Sequence, residues 1–205
     1  MVFLEREVFL FALMRVPVLK NKLVVMRPPR LADAPNYCRW LANPEVTRFL
    51  QRHEDPPTLR EERQFLRERL RLSDVVFWTI TTSNGEHIGC ISLAMINREH
   101  RRAVFGIFIG EPKYWGQGYG TAAGRLVINY GFRRLRLHRI YLHVYAYNIP
   151  GVKSYRKLGF QMEGRLRDHL YRGRYFHDIL VMGLLRSEFL RPNHNVKFYG
   201  KRKKQ

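Results

Sequence analysis

Hydrophobic and polar positions alternate in two rhythms along the chain. Leu23 to Arg27 reads as a short strand, and after Asp33, placed to cap a helix, apolar residues return at helical spacing (Tyr37, Trp40, Leu41) until Asn43-Pro44 stops the run. A second helical piece reaches about Leu50. Thr58 and Glu61 stand at capping-box spacing, ahead of Phe65, Leu66, Leu70 and Leu72, so a helix is expected to end near Ser73. From Val75 the texture turns β-branched and aromatic. Val75–Thr81, a turn at Asn84-Gly85, His87–Ile96 and Arg102–Ile109 predict an antiparallel meander. Gly118–Arg134 predicts a long amphipathic helix, Arg139–Tyr145 a strand, and the stretch after Asn148 a short helix closed by Gly159. A last hairpin, Gln161–Tyr171 and Tyr175–Leu185, turns at Arg172-Gly173. Helices first, then strands with two helices inserted, describe an α+β sheet domain.

A chain of 205 residues supports one well-buried core, expected over residues 23–190, with an extension at 1–22 and a basic tail at 191–205. The tail carries Lys201 to Lys204 without apolar periodicity and is expected to be disordered. An excess of 37 Lys and Arg over 17 Asp and Glu gives a formal charge of +20, a potential that draws polyanions such as nucleoside phosphates, RNA or ribosomes. A solvated Arg-rich surface with simple solubilising charge accounts for the same number. Cys38 and Cys90 lie far apart without metal-ligand spacing, which fits a reducing, cytoplasmic setting, and no metal is expected. The apolar stretch Val8–Val18 is interrupted by Arg15 and too short to span a bilayer, so no membrane attachment is expected.

The most informative stretch is Trp115-Gly-Gln-Gly-Tyr-Gly-Thr-Ala122, between a strand and the long helix. Glycines at 116, 118 and 120 permit a turn whose successive N–H groups face one concavity, and the helix N-terminus adds partial positive charge there. Such a nest suits a pyrophosphate. Neither a Rossmann fingerprint nor a P-loop fits, because an antiparallel meander precedes it and no Gly-Lys-Ser/Thr follows.

Gln117-Gly-Tyr-Gly120-Thr-Ala122 resembles the acetyl-CoA signature of the GNAT N-acetyltransferases. Met26-Arg-Pro, Asp33 and Trp40 to Arg48 resemble the opening of the branch that holds ribosomal-protein N-terminal acetyltransferases and spermidine N-acetyltransferases. Asn148, Tyr155 to Phe160, and Gly173 with Asp178 match further motifs of that branch, so the likeness covers about Leu23 to Leu185. It implies a mixed, mostly antiparallel sheet with helices on both faces and a splayed parallel strand pair. The resemblance also implies that acetyl-CoA is the co-substrate. Its pantetheine arm would lie along the backbone of Phe108 and Ile109, and its pyrophosphate on the amides of Gln117, Gly118, Tyr119, Gly120 and Thr121. Asn148 would hydrogen-bond the pantetheine, or else simply open the following helix. Tyr155 takes the position of a general acid that protonates the departing thiolate. A tyrosine on a short amphipathic helix is equally an ordinary core residue.

An enzyme that acetylates a primary amine and a basic RNA- or ribosome-associated module that only binds acetyl-CoA are the two classes left open; a dimer is compatible with either. The acceptor reading starts from a departure. Where the spermidine acetyltransferases that this branch resembles carry a proton-accepting glutamate, this chain has Val104. A peptide α-amine titrates near 7.8 and an alkylamine near 10.4, a difference worth about 3.5 kcal/mol in freeing the neutral amine. A site without its usual carboxylate therefore favours an α-amine, on a peptide or protein, over a polyamine. Glu111, or a concentration of Glu54, Asp55, Glu61 and Glu62, is the alternative source of a base.

Overall fold

The computed structural model describes residues 16–50 and 55–191, so most of the apolar N-terminal stretch, Glu54 and the basic tail lie outside the described residues. The strands are β1 (Leu19–Lys20), β2 (Val24–Arg27), β3 (Val76–Thr82), β4 (His87–Asn97), β5 (Arg102–Ile109), β6 (Arg139–Tyr145), β7 (Gln161–Arg172) and β8 (Tyr175–Leu185). The helices are α1 (Ala34–Leu41), α2 (Pro44–Thr47), α3 (Leu59–Arg69), α4 (Tyr119–Arg133), α5 (Ile149–Leu158) and α6 (Arg186–Leu190). One sheet runs β1-β2-β3-β4-β5-β6-β8-β7, antiparallel throughout except between β5 and β6. Among the described residues no helix is long and apolar enough to cross a membrane.

Period-2 alternation on β5 divides the interior. Ala103 and Phe105, with Ile107 and Ile109, face the larger core against α4 and α5, while Phe108 faces a smaller aromatic core of Tyr37, Trp40, Leu66 and Phe77 under α1 and α3. Helices thus cover both faces. Gly124 lets α5 press onto α4, since a Cβ there would lie 2.6 Å from Leu158 Cδ1.

Local signals translate directly. The Thr58–Glu61 capping box forms, with Thr58 N donating to Glu61 Oε2 (2.7 Å) and Glu61 N to Thr58 Oγ1 (3.3 Å). Gly85 (φ 87°) makes the β3–β4 turn, and Gly159 (φ 101°) ends α5. Asp33 differs from expectation: its carboxylate does not cap α1. It is buried beneath the β2–α1 connection, accepting from Arg27 (2.9 and 2.6 Å), from the Arg30 amide (2.8 Å) and from Thr79 Oγ1 (2.8 Å). Burial alone would raise its pKa, but those bonds outweigh it and hold the carboxyl below its ordinary value.

Next to Asp33, His87 is buried with both ring nitrogens engaged: Nδ1 accepts from Asn36 Nδ2 (3.0 Å) and Nε2–H donates to the Gly89 carbonyl (3.2 Å). Trp40 and Tyr37 lie edge-on to the ring at 4.7 and 5.3 Å. Burial pushes its pKa down to about 4, against the attraction of Asp33. The unfolded imidazole takes its proton near 6.5 and the folded one not until about 4, so stability is full above 6.5 and is lost as pH falls between those values. Urea titrations from pH 7 to pH 4 are expected to show a loss of about 3 kcal/mol from this ring. In His87→Asn that portion of the slope should vanish; an unchanged slope would place the proton uptake elsewhere.

Candidate active site

The parallel pairing of β5 and β6 covers only Arg102–Arg139, Ala103–Ile140 and Val104–Tyr141. Beyond these pairs the strands part. β5 stays bound to β4 as far as Ile109 opposite Gly89, and β6 to β8 as far as Tyr145 opposite Ile179, so the sheet opens along this one seam. Past Val104 β5 has no partner strand on its β6 side, and Phe108 and Ile109 lie on that stretch, the Ile109 carbonyl there being taken by the Trp115 indole.

At the end of β5 the chain turns through Pro112–Tyr114 into the glycine-rich loop. Trp115 pins the loop by donating its indole N–H to the Ile109 carbonyl (2.9 Å), while Tyr114 Oη and Lys113 Nζ both reach Glu86 at 2.6 Å. Gly116 (φ 72°) and Gly118 (φ 89°) take left-handed conformations. Gly120 lies in the first turn of α4, inside the helix expected from Gly118 onward, where a Cβ would meet Ile107 and Ile109 at ordinary contact distances of 3.6 and 3.8 Å. Ala122 is the first amide to bond back within the helix, to the Gly118 carbonyl, which leaves those of Tyr119, Gly120 and Thr121 without an intrahelical acceptor. The amides of Gly116, Gln117 and Gly118 likewise reach no acceptor among the described residues. Six donors and a fifteen-residue helix therefore converge on one mouth, a fit for a pyrophosphate. The Gln117 side chain is exposed and turns back to the Lys113 carbonyl, and Thr121 Oγ1 meets Ser154 Oγ of α5 at 3.1 Å.

Tyr155, on α5, stands edge-on to Phe105, the first β5 residue past the seam, and to Phe160, with ring centroids 6.1 Å away in each case. Burial pushes its pKa up to about 12. Its hydroxyl has no hydrogen-bond partner among the described residues, so the proton remains available to a molecule in the seam. Asn148 is the N-cap of α5, its Oδ1 accepting from the Gly151 amide (3.0 Å). That bond leaves the Nδ2 donors for another acceptor.

On the α1–α3 side of the same seam lies a cleft of about 460 Å³. Gly106, Ile107 and Phe108 form its floor with Cys90 and Ser92, and Tyr37, Phe65 and Phe77 wall it beside Glu62 and Arg69. The loop residue Leu50 closes one side, held by Arg172 of the distant hairpin, which donates to the carbonyls of Thr47 (3.0 Å), Arg48 (2.9 Å) and Leu50 (2.9 Å). Sequence reasoning passed over this wall. The signal was present in α3, where Glu62 occupies the same stripe as Leu66 and Arg69. Val104, by contrast, lies on the β5 face shared with Gly106 and Phe108, as expected for the position without its glutamate.

The other proposed bases are not equivalent. Glu111 accepts from Trp40 Nε1 (2.9 Å) and pairs with Arg39; burial raises its pKa, but these bonds outweigh it and hold it below the ordinary range. It is engaged in structure. Asp55 is exposed and Glu61 serves the capping box, so of the four acidic residues only Glu62 reaches the cleft among the described residues.

Residues 24–161 match the family described as Acetyltransferase (GNAT) domain. The uncharacterized N-acetyltransferase p20 of Bacillus licheniformis is 31% identical over 175 residues, 83% of this chain and 97% of that protein. The spermidine N(1)-acetyltransferase of Escherichia coli K12 is 36% identical over 111 residues, 54% of this chain and 59% of the relative. Among solved structures, a spermidine N-acetyltransferase from Vibrio cholerae in complex with CoA and spermine superposes with a TM-score of 0.77 at 25% identity, covering 83% of this chain and all of that one.

The loop's two inner glycines should respond oppositely to a methyl group. Gly118→Ala forces an L side chain into positive φ and is expected to cost about 1–2 kcal/mol. Gly120→Ala has room and removes a helix glycine, so it should stabilise by up to about 1 kcal/mol. Chemical denaturation of both variants reads the signs, and equal signs would contradict the loop geometry.

Proposed function

This chain belongs to the GNAT acetyltransferases and is an N-acetyltransferase that uses acetyl-CoA; we propose that its acceptor is an α-amine at the N-terminus of a peptide or protein. The observation that carries the reading is the seam beyond Val104, with six unspent amides at its mouth and an unpartnered phenol beside it. Acetyl-CoA supplies an acetyl group as a thioester. The amides from Gly116 to Thr121 would hold its pyrophosphate, the pantetheine would lie along β5 at Phe108 and Ile109, where no strand pairs on the β6 side, and Asn148 Nδ2 would donate to a pantetheine carbonyl.

Tyr155 would serve the leaving sulfur. A thiol titrates near 8.5, so complete transfer from a phenol at about 12 is uphill, and the hydroxyl acts chiefly by hydrogen-bonding the thiolate as it forms. Such an acid stays protonated at every pH the enzyme meets. The acceptor must arrive neutral, and three features favour one of low basicity: Val104 stands where a base would be expected, Glu111 is tied to Arg39 and Trp40, and the chain carries +20. The second reading is a small amine or polyamine, which the names of the spermidine acetyltransferase relatives favour.

Replacing Tyr155 with Phe is expected to lower kcat by about a hundredfold or more while leaving acetyl-CoA affinity in calorimetry nearly unchanged. Since activity needs the protonated phenol, its loss with rising pH falls near 12; kcat of the parent protein should show no decline up to about pH 10. A decline near 8 would remove Tyr155 from the acid role.

An acceptor screen at several pH values, comparing short peptides with free N-termini against spermidine and lysine analogues, decides the acceptor. Peptides are expected to lead at neutral pH, by a margin consistent with the ~2.6-unit difference in amine pKa. Efficient turnover of spermidine with inert peptides would select the second reading.

A further inference from the structure

The cleft wall presents two opposite charges on one stripe of α3. Glu62, Leu66 and Arg69 recur at i, i+4 and i+7, and a rise of 1.5 Å per residue sets Glu62 and Arg69 about 10 Å apart along the axis. Glu62 is only 4% exposed, and both charges act on the Cys90 thiol of the cleft floor, Arg69 favouring its ionisation and Glu62 opposing it. Arg69 is half-buried, its guanidinium over the rings of Phe65 (5.7 Å) and Phe77 (5.8 Å). It forms no ion pair among the described residues. A guanidinium braced by two aromatic faces has given up much of its freedom while its planar fork still offers donors suited to a carboxylate or phosphate.

Resting on the proposed amine acceptor, we propose that the amine enters through this cleft as the acceptor side, that the acceptor carries an anionic group about two helical turns from its amine, that Glu62 draws in the amine end and Arg69 holds the anion, and that Arg69 is the specificity residue that turns polyamines away. A polyamine reaching Glu62 would set its next ammonium against Arg69 in a largely apolar cleft, where like charges repel more strongly than in water. An extended peptide advances about 3.3–3.6 Å per residue, so an acidic side chain on its third residue spans the required distance from the α-amine.

The test uses the full chain with saturating acetyl-CoA and three tetrapeptides that differ only in carrying glutamate, glutamine or lysine at the third position, with spermidine as fourth acceptor. The expected kcat/KM falls in that order, by at least tenfold between the glutamate and lysine peptides, with spermidine poorest. Arg69→Gln should level the peptide series, Arg69→Glu should reverse it and raise turnover of spermidine, and Arg69→Lys should keep the order. Acetyl-CoA affinity, measured by calorimetry, should be the same in all four proteins. A flat series in the parent protein, or an order unmoved by Arg69→Gln, overturns the anion preference while acetyl transfer itself stands. Binding of acetyl-CoA with no acetylation of any of the four amines is a different result and overturns the acceptor-side reading with it.

Discussion

Parallel pairing between β5 and β6 stops after three residue pairs because each strand has a stronger commitment on its other side. β5 is held by β4 along its length, β6 by β8, and the helices that follow wedge the strands apart: Tyr155 of α5 stands against Phe105 at the first position where the pairing has ceased. A sheet interior normally satisfies its own backbone groups. Here one strand edge is left open inside the fold rather than at its border, with the loop of Gly116 and Gly118 at one end of the opening and the Glu62 cleft on one face. Loop and cleft are two approaches to a single gap.

The chain is basic, yet its few carboxylates are spent with care. Asp33 gathers Arg27, Arg30 and Thr79, Glu86 takes Lys113 and Tyr114, Glu111 takes Arg39 and Trp40, Glu163 takes Arg139, and Asp178 takes Arg165 and the Asp168 amide. Each joins segments distant in sequence or stiffens a turn. Glu62 in addition borders a cavity.

Much of this was legible in the sequence because it is written in local chemistry. The Thr58–Glu61 box, the Asn84-Gly85 turn, the glycine stop at Gly159 and the alternation of Arg139–Tyr145 depend on neighbours a few residues away and appear where expected, although the helix that the box opens ends at Arg69 rather than near Ser73. The expectation of an antiparallel meander with a splayed parallel pair holds as well. What escaped was non-local. β1 has two residues and α6 five, too few for any periodicity, and Asp33 looked like a cap because its three partners come from β2, β3 and the loop between. Of the cleft only Glu62 was singled out in the sequence as a possible base: the cleft walls come from α1, α3, β3, β4 and β5, and only their packing brings Glu62 and Cys90 to one cavity.

The three carbonyls that Arg172 gathers lie 122 to 125 residues before it in the chain. During synthesis, then, the loop around Leu50 emerges long before the side chain that fixes it, and the first two thirds of the polypeptide can acquire α1, α3 and the meander while one wall of the cleft is still unanchored. The cleft thereby becomes one of the last features the nascent chain completes, after the glycine-rich loop of Gly116 and Gly118 has already been made.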